Sequence, residues 1–290
     1  MTYRESKSSR QSSIAKVEDP KAEIQSFLQT VGRAPKSLLM LDFDGTLAPF
    51  RRDRMMVSPY PGISSLLQEI RATGKTRIVI VSGRNATEII PLLAIEPHLE
   101  IWGCHGLQRI KVDGSVKVSA LDEPTWTALL AAEEWLGSQQ LQNAAEFKPG
   151  SIAVHWRGLS ENKAQDIHRR VMLGWAKIAQ QSGMDLLHFD GGVEIRSTKA
   201  NKGVAVRTLL SEMKSPVPAA YLGDEITDEA AFATINGSGL SILVRAEWRP
   251  TAARLWLRPP REVLDFLSRW LEVCLGADEA SDGTSSEISA

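Results

Sequence analysis

Three apolar runs in this chain end in residues that can do chemistry. Residues 38–41 lead into Asp42-Phe43-Asp44-Gly45-Thr46, residues 77–81 into Ser82-Gly83-Arg84, and residues 218–222 into Gly223-Asp224-Glu225-Ile226-Thr227-Asp228. Lys202 opens the amphipathic segment just before the third run. Asp42 and Asp44 can both enter one crevice if the chain begins to turn there, and Gly45 permits the turn. Neighbouring carboxylates repel, so a cation or a shared proton is expected between them. Asp224 and Asp228, one helical turn apart, add further acids. Donors that are all oxygen suit Mg²⁺ better than zinc, which makes Asp42, Asp44, Asp224 and Asp228 the candidate metal ligands.

Mg²⁺ beside a lysine is a site for a phosphoryl group. Lys202 would neutralise the transferring oxygens, and Ser82 could donate a hydroxyl to the same group. Asp42 could attack phosphorus. Asp44 could protonate the leaving oxygen and later deprotonate a water. A single Asp after a strand is usually a cap or a turn former, and Ser-Gly is ordinary turn chemistry. Four such pieces, each at a strand end or a helix start, are not explained by turns.

The elements that must position them follow from hydrophobic periodicity. Strands are expected at 38–42, 77–82, 99–103, 218–222, 240–244 and 253–257, with helices at 62–73, 85–94, 203–213, 227–235 and 261–274. Continuous apolar strands alternating with helices read as a parallel sheet covered on both faces. Such sheets bind ligands at the carboxyl ends of their strands. Between 107 and 190 the pattern changes to hairpins and two long helices, at 123–137 and 161–181, which reads as a small antiparallel α+β domain. The fold class is therefore α/β: a doubly wound parallel-sheet core, residues 21–106 and 191–275, with an inserted α+β cap at 107–190. Chain crossings near 106 and 191 would be hinges, served by Gly103, Gly106, Gly191 and Gly192.

The chain has 290 residues, a formal net charge of −1 and 43% hydrophobic residues, as expected of a globular protein with about two domains. Balanced charge argues against a nucleic-acid binder. No apolar run is long enough to span a bilayer and no secretory signal is visible, so a cytoplasmic location is expected. Cys104 and Cys274 are too few for a disulfide framework. Residues 1–20 and 276–290 read as disordered tails, the second acidic.

Taken together the motifs resemble the haloacid dehalogenase (HAD) superfamily of phosphotransferases. Asp42-x-Asp44-Gly45-Thr46, Ser82, Lys202 and Gly223-Asp224-x-x-x-Asp228 match its four motifs. The resemblance implies a HAD-like (Rossmannoid) core, Asp42 as nucleophile and Asp44 as acid/base. It also implies Mg²⁺ on Asp42, the Asp44 carbonyl and Asp224, with Asp228 supporting. Gly-Asp-x-x-Thr-Asp-Glu at 223–229 narrows the resemblance to trehalose-6-phosphate phosphatases. Ser82-Gly83-Arg84, His105-Gly106 with Arg109, Glu146-x-Lys148, His155-Trp156-Arg157 and Glu194-Ile195-Arg196 point the same way. The substrate-facing residues so implied are Arg84, His105, Gly106, Arg109, Glu146, Lys148, Arg157 and Glu194.

The chain departs from that family's pattern at Glu225, Ser197 and Gln108, the last bearing on which sugar is bound. Trp102 and Trp156 are candidates for stacking on a sugar. The expected partner is a small sugar phosphate, with trehalose-6-phosphate synthase as a candidate protein partner and neither nucleic acid nor membrane. The rival readings are a phosphatase for another glycosyl phosphate, such as sucrose or mannosylglycerate phosphate, and a catalytically silent sugar-phosphate-binding domain.

Overall fold

The computed structural model describes residues 19–51, 56–189 and 191–282. The chain opens with α1 (Pro20–Arg33), β1 (Ser37–Leu41), α2 (Ile63–Ala72), β2 (Thr76–Val81), α3 (Ala86–Leu93) and β3 (Glu100–Gly103). A hairpin, β4 (Gln108–Ile110) and β5 (Val116–Val118), precedes α4 (Glu123–Ser138). Next come β6 (Ala145–Lys148), β7 (Ser151–His155), α5 (Glu161–Ser182), β8 (Asp185–Phe189) and β9 (Gly192–Arg196). The last part is α6 (Lys202–Glu212), β10 (Ala219–Gly223), α7 (Glu229–Ile235), β11 (Leu240–Val244), β12 (Leu255–Leu257) and α8 (Arg261–Asp282).

Two sheets result. The larger has eight strands in the order β12-β11-β10-β1-β2-β3-β4-β5, and the smaller has four in the order β6-β7-β9-β8. Pairing is parallel from β12 through to β3 and antiparallel at β4 and β5. The large sheet is covered on both faces. On β1, Leu39 and Leu41 join the cluster packed by α1, α2, α3 and α8, while Leu38 and Met40 join the one packed by α6 and α7. That two-sided burial is why β1 reads as an unbroken apolar run. The small sheet has its own core, with Ile152, Val154, Val193 and Ile195 buried under Leu136 of α4 and Trp175 of α5.

The domain limits differ from those read in the sequence. Strands β4 and β5, expected in the insertion, extend the large sheet, because β4 folds straight back onto β3 (Trp102 opposite Arg109). Strand β9, expected in the core, is the inner strand of the small sheet, paired with both β7 and β8. The crossings between sheets therefore lie at 119–122 and 197–201, where Lys199 and Asp122 form an ion pair of 2.8 Å. Gly191 and Gly192 belong to the β8–β9 hairpin rather than to a crossing.

Helix α1 was not expected from the sequence, though its signals are there. The Asp19 carboxylate accepts from the backbone N–H of Lys21 and Ala22, Pro20 starts the helix, and Ile24, Leu28 and Val31 are buried at helical spacing. Helix α8 runs to Asp282, into the segment read as a tail, since residues 277–280 offer helix formers and no breaker. The rest of both tails, 1–18 and 283–290, lies outside the described residues. Among the described residues no helix is long and apolar enough to cross a membrane.

Candidate active site

The carboxyl edge of the large sheet brings the predicted residues together. Asp42 follows β1, and its N–H donates to the Leu222 carbonyl of β10 (2.9 Å), which ties the first acidic strand end to the third. Gly45 then turns the chain at φ +76°, with the Gly45 N–H on the Ala48 carbonyl at 2.7 Å. A Cβ on Gly45 would lie 2.2 Å from Asp224 Oδ2, so only glycine lets the two strand ends meet. Asn201 caps α6, accepting from the Gly203 N–H at 2.8 Å. Gly203 admits α7 closely, since a Cβ there would meet the Ala230 carbonyl at 2.6 Å. That contact carries Lys202 to Asp228.

Lys202 Nζ donates to Asp42 Oδ1 (2.8 Å) and Asp228 Oδ1 (2.7 Å), all three side chains being buried. Asp228 takes three further donors: Tyr221 Oη at 2.5 Å, and the backbone N–H of Asp224 and Glu225 at 3.1 and 2.9 Å. Both Asp228 oxygens are thus already occupied. Asp42, Asp224 and Asp228 each place a carboxylate oxygen within 4.8 Å of the others. Asp224 Oδ1 is buried with no hydrogen-bond partner.

The electrostatics show a shortage of positive charge. Burial works against the ammonium of Lys202, yet Asp228 and Asp42 outweigh it and hold its pKa above the ordinary lysine value. Asp42 responds the other way. Burial, opposed by one lysine but reinforced by Asp228 and Asp44, pushes its carboxyl up to about 7. Asp224 is also raised, by burial and then by Asp42 and Asp228. The lysine faces two carboxylates, whereas each carboxylate shares one lysine with other acids. A divalent cation at Asp42 and Asp224 would satisfy the orphaned Asp224 oxygen and remove the repulsion. The donor set therefore fits Mg²⁺, with Asp228 as a support.

Ser82 and Arg84 follow β2. Ser82 is buried, lines the cavity, and accepts from the Arg84 N–H at 3.2 Å. Arg84 grips Asp44 with both arms of its guanidinium, Nε to Oδ2 at 2.6 Å and Nη2 to Oδ1 at 2.7 Å. Burial opposes the charge of Arg84, and the bonds to Asp44 more than restore it. Arg84, expected to touch substrate, lines the cavity and also orients the candidate acid/base.

A cavity of about 640 Å³ lies between this edge and the small sheet. Asp42, Asp44, Ser82 and Lys202 line one side, and Lys148, His155, Arg157 and Glu194 the other. Glu194 is buried and bound by Lys148 Nζ at 2.6 Å and Ser151 Oγ at 2.7 Å. His105 Nε2 lies 3.5 Å from its other oxygen. Burial opposes the charge of Glu194, but Lys148 and then His105 keep its pKa well below the usual carboxylate range. Glu146 Oε2 meets His155 Nε2 at 2.8 Å.

Several expectations are corrected. Arg109 stands over Trp102 (4.9 Å) and pairs with Glu100 (2.8 Å) and Glu212 (2.7 Å), locking β4 to β3 and α6 outside the cavity lining. Gly106 is a turn residue at φ +99° and is not among the lining residues. Gln108 Oε1 accepts from the Ala86 N–H at 2.8 Å at the start of α3, so its departure from the family pattern concerns the core rather than the sugar. Trp102 and Trp156 likewise do not line the cavity; Trp156 packs on His168 at 5.3 Å. Ser197, another departure from the family pattern, donates its N–H to the Gly150 carbonyl at 2.8 Å.

Several contributors escaped sequence reasoning. Tyr221 and Ser151 carry no motif and act through hydrogen bonds set by strand register. Arg249 spans the carbonyls of Asp224 and Glu225, the latter at 2.7 Å, and pairs with Glu229. Only their place in the fold identifies them.

An acidic centre at the carboxyl edge of a parallel sheet, roofed by a second small sheet, is the haloacid dehalogenase-like architecture. A haloacid dehalogenase-like hydrolase from Bacteroides thetaiotaomicron shares it with a TM-score of 0.58 at 13% identity, covering 81% of this chain and 99% of that one. The C-terminal domain of trehalose-6-phosphate phosphatase from C. albicans aligns with a TM-score of 0.72 at 18% identity, covering 86% and 96%. In sequence, a trehalose-phosphate phosphatase of Mycobacterium marinum is 26% identical over 269 residues, which is 86% of this chain and 66% of the relative. The trehalose-phosphatase family profile matches residues 40–258. The chain belongs to the trehalose-phosphatase family.

Proposed function

We propose that this chain is a Mg²⁺-dependent phosphatase that hydrolyses trehalose 6-phosphate to trehalose and phosphate. The observation that carries the reading is one cavity shared by two kinds of chemistry. The Asp42–Lys202 centre meets phosphoryl requirements, and the opposing Glu194–Lys148 pair with His155, which Glu146 holds from outside the lining, offers donors and acceptors for many hydroxyls. Family membership favours trehalose 6-phosphate over sucrose or mannosylglycerate phosphate.

Asp42, held on Oδ1 by Lys202, attacks phosphorus with its other oxygen as the phosphorus–oxygen bond to the sugar breaks. Asp44, fixed by Arg84, gives its proton to the departing sugar oxygen. A water then attacks the phosphorus of the aspartyl phosphate, Asp44 takes the proton, and Asp42 is regenerated as phosphate leaves. Lys202 and Ser82 balance charge on the non-bridging oxygens throughout. Asp42, the Asp44 carbonyl and Asp224 would hold Mg²⁺, which supplies charge neutralisation at the phosphoryl group.

Phosphate release from trehalose 6-phosphate, with and without Mg²⁺ and against a panel of phosphorylated sugars, tests the reading. It expects preference for trehalose 6-phosphate and no release by Asp42→Asn. Equal turnover of all sugars would remove the trehalose assignment, and turnover by Asp42→Asn would remove the nucleophile.

A further inference from the structure

We infer that Phe189 is the stacking wall for the outer, unphosphorylated sugar ring, and thus a specificity residue of the cavity; the inference rests on the sugar-phosphate reading above. The register of the small sheet carries the argument. Residues that face one another across β7, β9 and β8 form three rows: Ser151–Arg196–Asp185, Ala153–Glu194–Leu187 and His155–Gly192–Phe189. Residues two apart on a strand share a face, so the rows face the same way and succeed one another about every 7 Å. The first two rows carry charge. The third carries two rings and a glycine.

Gly192 is what makes that third row a surface. A Cβ there would lie 2.0 Å from Phe189 Cζ and 2.3 Å from Cε2, so the ring occupies the space a side chain would take. The rings of His155 and Phe189, from strands that flank β9, meet over the glycine with centroids 5.3 Å apart and planes at 58°. His155 is held from behind by Glu146. Both rings line the cavity, together with Leu187 of the neighbouring row. Phe189 is only half-buried, so part of the ring is open to an occupant.

A ring that merely filled the hole over Gly192 would not need to line a cavity shared with Asp42. A pyranose has an apolar face of C–H groups and an edge of hydroxyls. Its edge suits Glu194 and Lys148, and its apolar face suits a fixed aromatic ring. Asp42, across the cavity, takes the phosphoryl end. The wall would therefore be used by a two-ring substrate and left unused by a small phosphate ester.

The test compares trehalose 6-phosphate with acetyl phosphate, which has no ring, in the wild type and in Phe189→Leu, Phe189→Tyr and Gly192→Ala. Phe189→Leu is expected to raise KM for trehalose 6-phosphate about three- to ten-fold with kcat nearly unchanged. Acetyl phosphate kinetics should not move, and Phe189→Tyr should behave as wild type. Gly192→Ala, which displaces the ring without removing it, should reproduce the leucine effect, and keeps the test open if the leucine variant folds poorly. Unchanged KM for trehalose 6-phosphate in Phe189→Leu, or an equal rise for both substrates, overturns the wall while leaving the phosphatase reading intact. Wild-type protein that cleaves acetyl phosphate but not trehalose 6-phosphate overturns the sugar reading, and the wall with it.

Discussion

Lys202 bridges Asp42 and Asp228, with its ammonium 2.8 Å from the first and 2.7 Å from the second, and all three are buried. Of the two carboxylates, Asp42 lines the cavity and Asp228 does not, so Asp228 is the anchor that aims the lysine. Removing one partner of a buried ion pair leaves an uncompensated charge, at a cost of roughly 3–5 kcal/mol. Lys202→Met should therefore lose both phosphate release and several degrees of melting temperature. Asp228→Asn keeps the shape but halves the counter-charge. It should lower kcat strongly while leaving the secondary structure seen by circular dichroism intact. A fully active Asp228→Asn would mean that Lys202 is aimed by something else.

The fork between Arg84 and Asp44 makes a different kind of prediction. Arg84→Lys keeps the positive charge but gives up one of two parallel hydrogen bonds, so Asp44 can rotate. A misaligned acid/base costs rate more than binding. The expected result is a fall in kcat of about tenfold or more, with KM changed little and thermal stability close to wild type. A change confined to KM would mean that Arg84 acts on the substrate directly rather than through Asp44.

Metal dependence can be probed through Gly45 without touching a ligand. An alanine there would push against Asp224 Oδ2 from 2.2 Å and would have to hold φ at +76°. Chelation of the wild type should stop turnover, and added Mg²⁺ should restore it and raise the melting temperature by mass action. Gly45→Ala should need much more Mg²⁺ for half-maximal activity and show a smaller thermal shift at equal Mg²⁺. If the thermal shift matched the wild type, the pocket between Asp42 and Asp224 would not be the metal's place.

The acidic half of this candidate site was legible because its residues sit next to the strands that carry them. Asp42, Ser82 and Asp224 are each within one or two residues of an apolar run, so periodicity alone puts them on the sheet edge. The rest depends on contacts distant in sequence. Gln108 looks like a sugar contact until its carbonyl is seen on the Ala86 N–H. Arg109 looks like a cavity cation until Glu100 and Glu212 claim it. Phe189 has no motif, and its exposure depends on a glycine one strand away. The domain limits were misplaced for the same reason. A hairpin such as β4–β5 has the same pattern whether it joins a large sheet or a small one, and only pairing with β3 decides.

His105 provides the pH test. It lies buried between the core and the small sheet, and burial holds its pKa down to about 4, with Glu194 only partly offsetting the effect. An unfolded histidine titrates near 6.5. Between those values the unfolded chain binds a proton that the folded chain refuses, so stability rises with pH across the window. The contribution is full above about pH 6.5 and is lost as pH falls towards 4, to a total of about 3 kcal/mol. Glu194 stays charged across this window because Lys148 holds its pKa well below it. Burial raises the carboxyls of Asp42 and Asp224, whose contributions run the other way with pH, so the histidine is read from the difference between the wild type and a variant that lacks it. In urea unfolding at pH 7.5, 6 and 5, the wild-type midpoint should fall relative to that of His105→Gln as pH drops. Equal slopes in the two proteins would mean that His105 becomes protonated without loss, paired with Glu194, and that the core–cap contact is an ion pair rather than a neutral hydrogen bond.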